Sequence, residues 1–132
     1  FQHWVYLNPD HTIEQRDDYF ETLNKRFTSG LVNWDGYEHF KRKGWQRQLH
    51  IFGIPFYYVE YGIAQLGALQ VYRNFKKDPK AALEGYIKGL SLGSSHPLPE
   101  VWKAMGIKFD FSADSLKELV EFVQQELAEI QD

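Results

Sequence analysis

Apolar residues recur along this chain at three- and four-residue steps, and the recurrence predicts one helix after another. Phe1, Trp4, Val5 and Leu7 have helical spacing with no capping residue ahead of them. They read as the middle of a helix that begins elsewhere. Thr12 and Gln15 stand at capping-box spacing, and Ile13, Phe20, Leu23 and Phe27 then form an apolar stripe that Ser29-Gly30 ends. Asp35 and Glu38 are placed to cap a short helix through Tyr37 and Phe40, closing near Gly44. A further short helical segment is expected from Trp45 to Phe52, before Gly53 and Pro55 break it.

Pro55 stands where a first helical position would fall. From Phe56 to Phe75 the chain is apolar on nearly every side of a helix, with Glu60 the only charge before Arg73. A helix of that kind is expected to be buried all round. Its small residues Gly62, Ala64, Gly67 and Ala68 would admit neighbouring backbones. Glu60 is then expected to pair with Arg47 or Arg73, a substrate contact being the alternative. Asp78-Pro79 is a helix start, Leu83, Tyr86, Ile87 and Leu90 its expected buried stripe, and Gly93 its end. Pro99 to Met105 predicts a short helix closed by Gly106. Ser112 or Asp114 caps the last helix, which carries Leu116, Leu119, Val123, Leu127 and Ile130 on one face. No segment alternates with period two for long enough to predict a strand. The predicted class is all-α, a multi-helix bundle. The stretch from Asp78 to Leu92 looks like one helix of a tetratricopeptide repeat, but no second copy follows.

Composition narrows the function classes. Of 132 residues, 43% are hydrophobic and 17% aromatic, enough for one sizeable core, and the formal net charge is only −3. The basic residues form no block, so nucleic acid is not expected as a partner. With no cysteine, disulfides and thiolate metal sites are excluded. No apolar run reaches the roughly 18–20 residues that span a bilayer, so no membrane partner is expected and the cytoplasm is the default location. The only methionine is Met105, and with the uncapped start this predicts a piece of a longer protein.

Candidate chemistry is concentrated in one stretch. The five histidines, His3, His11, His39, His50 and His96, include no pair four apart, and no His-Glu-x-x-His occurs. A zinc site needs three or four convergent ligands, which this chain does not offer by spacing, so metal ligands among its residues are expected to be none. There is no Gly-x-Ser-x-Gly elbow either. His50, however, precedes the Gly53–Pro55 break, and tyrosines open the apolar helix beyond it. Tyr58 and Tyr61 are three apart, on one helical face that Gln65 continues. Phenols ionise near pH 10 (about 10 in model peptides), so at neutral pH they are proton donors. Donors held in a dry site stabilise a developing oxyanion, each worth roughly 10²–10³ in rate. The competing reading is a set of packed core rings with hydroxyls bonded to backbone.

The stretch from His50 to Leu69 resembles the C-terminal signature of the oligoendopeptidase F family, relatives of thimet oligopeptidase. Phe1-Gln2-His3-Trp4-Val5-Tyr6, Asn8-Pro9, Gly44-Trp45-Gln46-Arg47-Gln48-Leu49-His50, Ser91-Leu92-Gly93-Ser94 and Gly106-Ile107-Lys108-Phe109-Asp110-Phe111 are similar as well. The resemblance covers nearly the whole chain. It implies that residues 1–132 form one helical segment, the C-terminal part of a larger zinc metalloendopeptidase catalytic domain that hydrolyses short peptides. Zinc and its ligands would then lie in the N-terminal remainder of the same peptidase, the expected partner besides the oligopeptide substrate. The family's histidine carries over to His50. A Tyr-x-x-Tyr reading selects Tyr58 and Tyr61 as catalytic donors, with Tyr57 in reserve as a substrate-binding group, whereas an ungapped reading puts Phe56 and Val59 at those places. Gly53, also on the substrate side, stands where the family carries an acidic residue. The chain by itself is expected to be inactive, to hold no zinc and to self-associate through the apolar surface left bare. The alternative function is a non-catalytic helical interaction module.

Overall fold

Helical hydrogen bonding accounts for most of the backbone in the computed structural model, which describes residues 1–131. Eight α-helices and two 3₁₀ turns follow one another, with no strand among the described residues. The all-α class is what the periodicity predicts. The helices gather into two compact units, Phe1–Val59 and the chain from Glu60 onward.

In the first unit, α1 (Gln2–Leu7) is followed by α2 (Ile13–Phe27), which starts on the predicted capping box. Gln15 N donates to Thr12 Oγ1 at 3.2 Å, and Thr12 N donates to Gln15 Oε1 at 2.9 Å. Next come α3 (Glu38–Arg42), a 3₁₀ turn (Gly44–Arg47) and α4 (Leu49–Gly53). Tyr37 rather than Asp35 precedes α3, and Glu38 Oε1 accepts from Gly36 N instead of closing a cap. The core centres on Trp45, only 5% exposed, against the rings of Phe1 and Phe52 at 5.6 and 5.8 Å. Its indole N–H donates to the buried Asp17 carboxylate at 2.8 Å. That bond ties the 3₁₀ turn to α2. Ile13 and Phe27, placed by periodicity on the buried stripe of α2, are exposed, because the unit covers only the middle of that helix.

α5 (Tyr58–Lys77) begins three residues after Pro55, not at it. Ile54 to Tyr57 form a turn in which Phe56 adopts φ 59°, a left-handed conformation that a helix cannot continue through. In the second unit, α5 is joined by α6 (Pro79–Ser91), a 3₁₀ turn (Gly93–Ser95), α7 (Leu98–Ala104) and α8 (Ala113–Gln131). Asp78 caps α6 as predicted, accepting from Ala81 N at 3.0 Å. Burial of α5 on all sides is not what the structure shows. Gly67 and Gln70 are buried, whereas Tyr61, Tyr72 and Phe75 are exposed. One face alone is covered. There Gly67 faces Trp102 so closely that a Cβ would lie 2.9 Å from the indole, and the Gln70 amide pairs with both backbone groups of Lys108.

The buried stripe of α6 also differs from expectation. Ala82 and Gly89 are buried, while Leu83, Ile87 and Leu90 are exposed. Small residues let α6 and α7 approach: a Cβ on Gly85 would sit 3.0 Å from the Met105 carbonyl oxygen, and one on Gly89 would overlap the Met105 side chain. On α8 the predicted face is partly used. Leu119 is 3% exposed, but Leu127 and Ile130 lie open. Ser112 Oγ accepts from Ser115 N at 3.3 Å and starts that helix. Asp110 accepts from Ser115 Oγ and from Ser112 N, bonds that hold its carboxyl below the ordinary carboxylate range. Tyr72 O–H donates to Glu126 at 2.7 Å and Lys76 pairs with the same carboxylate at 3.1 Å, fastening α8 to α5.

Candidate functional site

His50 sits in the second position of α4, a five-residue helix that Gln48 precedes and that ends at Gly53 before Pro55. Its ring is half-buried. The Tyr57 ring stacks on it at 4.8 Å with only 10° between planes, and Tyr58 meets it edge-on at 5.4 Å. Tyr58 Oη donates to Gln48 Oε1. The turn through Phe56 brings this about. It folds the chain back after α4, so that residues seven and eight positions after the histidine flank its ring. Phe56 is itself held by rings of α1, Tyr6 at 5.3 Å and His3 at 6.4 Å.

The structure therefore brings together His50, Tyr57 and Tyr58. Tyr61 belongs to the second unit, about one helical turn farther along α5, and is 52% exposed. Gly53 faces open space, with nothing within 4 Å of where a Cβ would stand. Glu60 is exposed rather than buried, and Arg73, one of its two expected partners, pairs with Glu118 at 3.5 Å. The first turn of α5 is solvated, so the carboxylate needs no counter-ion there. Two contributors escaped sequence reasoning. Gln48 looked like one more polar residue, and the one available signal for the Phe56 turn was the proline before it.

No three His, Cys, Asp or Glu side chains among the described residues converge where a metal ion would sit. Other histidines already have partners elsewhere: His11 accepts from Arg16 Nε at 2.7 Å and contacts Asn8 O, and His96 pairs with Glu100 at 2.9 Å. What the His50 cluster offers is an imidazole ring flanked by two phenol rings at a partly open surface. Such groups bind and polarise a carbonyl.

The sequence model of peptidase family M3 matches residues 1–121. The chain belongs to peptidase family M3. Membership makes it a relative of metallopeptidases, hydrolases whose substrates are peptides, and agrees with an all-α fold. Neither the curated proteins nor the solved structures include a match to it. The residues of this M3 chain do not fit the family's zinc, because the described side chains provide no ligand set. No helix among them is long and apolar enough to cross a membrane.

Proposed function

We propose that this chain is the substrate-binding and transition-state-stabilising part of a zinc metalloendopeptidase of oligoendopeptidase F type, one that cleaves short peptides in the cytoplasm. The N-terminal remainder of the same peptidase would hold the metal and complete the domain of which residues 1–132 are the C-terminal part. The observation that carries the reading is the His50–Tyr57–Tyr58 cluster in a chain that belongs to family M3.

His50 and Tyr58 act on the substrate backbone. A peptide entering the cluster exchanges the Gln48 carboxamide for its own carbonyl as acceptor of the Tyr58 proton. Little must move, since Tyr58 is 37% exposed and its ring is already positioned by His50. As the carbonyl oxygen gains negative charge, that bond shortens and strengthens, which is the differential binding that lowers a barrier. Tyr57, stacked on the imidazole, fixes the ring plane and offers its face to the peptide. Tyr61, farther along α5, supplies the second phenol to the substrate, and Gly53 leaves room for its chain.

In the intact enzyme, Tyr58→Phe is expected to lower kcat by roughly 10²–10³ with little change in KM. Near-normal turnover removes Tyr58 from the mechanism, and the same result at Tyr57 and Tyr61 ends the tyrosine proposal. A second reading, a helical interaction module without catalysis, is favoured by the missing ligand set among the described residues. A His-Glu-x-x-His motif upstream in the same reading frame decides for the peptidase.

A further inference from the structure

Beside the His50 cluster the first unit contains a recess of about 620 Å³ that the reading above leaves unused. Phe20, Trp34, Tyr37 and Phe40 give it aromatic walls, and Lys41, Lys43 and Arg47 stand around it. No carboxylate is among its lining residues. That imbalance is local, because the chain as a whole carries a net charge of −3.

Among the described residues, no ion pair holds Lys41, Lys43 or Arg47. Arg42, their neighbour on α3, is taken by Asp18 and by Glu21 at 3.4 Å, and the Glu38 carboxylate is turned to Gly36 N. No carboxylate of the first unit lies within ion-pair distance of Lys41, Lys43 or Arg47. A basic, aromatic-walled recess of this kind gains most from a ligand that brings a carboxylate together with a flat or apolar group. Gln48 connects it to the cluster. This residue lines the recess, and its Oε1 is the acceptor that Tyr58 Oη holds. A peptide that displaces Gln48 from Tyr58 thus lies against the basic wall.

We propose that this recess is a specificity subsite for a carboxylate of the peptide substrate, bound by Lys41, Lys43 and Arg47 with the aromatic walls covering the neighbouring side chain. The inference rests on the peptidase reading. The carboxylate comes from a Glu or Asp side chain or from the peptide C-terminus, two sources with the same chemistry.

Four octapeptides of one apolar sequence separate them: Glu or Gln at one internal position, each with a free or an amidated C-terminus. Titrated calorimetrically into the 132-residue chain at low salt, the peptide with the recognised carboxylate is expected to bind about tenfold tighter than its amide counterpart. The preference should shrink as salt rises. In a Lys41→Ala/Lys43→Ala/Arg47→Ala variant the acid-to-amide ratio should fall to about one, whereas Lys41→Arg/Lys43→Arg, which keeps all three charges, should retain it. Circular dichroism of each variant establishes that it is folded. Equal binding of all four peptides overturns the proposal, as does a preference that survives the triple alanine variant. A single-stranded oligonucleotide that outcompetes the acidic peptide overturns it too, assigning the recess to nucleic acid. Neutral peptides that bind as well as acidic ones, and lose that binding in a His50→Ala variant, remove the subsite and leave the peptidase reading standing. If no peptide binds at all, both fall.

Discussion

Asp17 and Trp45 show what one polar pair does in a small core. Both side chains are buried, and the carboxylate is the hydrogen-bond partner of the indole N–H. Asp17→Ala would leave that donor desolvated and unpaired, at a cost of about 1–3 kcal/mol, to be read as a lower urea midpoint. A loss under about 0.5 kcal/mol would show that the N–H finds another acceptor. Asp110 makes a pH statement. Its carboxyl is held low first by the Ser115 hydroxyl and then by the Ser112 amide. A depressed folded-state pKa adds stability above the unfolded value, about 3.9, and loses it as pH falls through the folded value. The melting-temperature difference between the native chain and Asp110→Asn should therefore be full well above the unfolded value and shrink as pH falls below it. A constant difference across that range would assign Asp110 a role other than its charge. At this scale the sequence was only partly informative. Thr12, Asp78 and Ser112 were readable as caps because capping chemistry is local, whereas Asp17 is a partner of Trp45 only after 28 residues of chain have folded back.

Helix positions followed the apolar period closely, and helix faces did not. On α6 the period selects Leu83, Tyr86, Ile87 and Leu90, yet the closest approach to α7 is made at Gly85 and Gly89, and Ala82 is buried. Small residues carry little hydrophobic signal, and their value is the distance they permit. Gly89→Val would drive a branched side chain into Met105 and is expected to cost about 1–3 kcal/mol through overpacking. Thermal unfolding checks this, with Leu83→Ala, at an exposed position, as the comparison of small effect. The start of α5 was misplaced for a related reason. A proline suggests a first helical turn, but the left-handed Phe56 two-thirds of the way through the loop moves the helix to Tyr58. His50 and its neighbouring tyrosines could be singled out from the sequence. The arrangement of Tyr57 stacked flat and Tyr58 edge-on could not, because it depends on that turn.

Across the molecule, large apolar side chains lie open. Leu49, Phe52, Ile54 and Val59 are all exposed in the first unit, and Ile87, Leu90 and Ile130 in the second. Scattered exposure of this kind is ordinary, but four such residues within eleven positions form more than scatter. Light scattering is expected to show dimers or larger species at high concentration, and Leu49→Glu/Val59→Lys to shift them towards monomer. A wild-type chain that stays strictly monomeric would contradict this. Kinship was legible in the long motif around His50, and family M3 accounts for residues 1–121. The division into two units was not, since α5 runs unbroken through the boundary and no linker composition marks it. The left-handed backbone at Phe56 carries a long-range consequence. A non-glycine residue there is unfavourable by about 1 kcal/mol, offset by the Tyr6 and His3 rings clasping its side chain. Tyr6 is placed to act as a latch from fifty positions away: without it the turn is expected to loosen, and Tyr58 to lose its place beside His50.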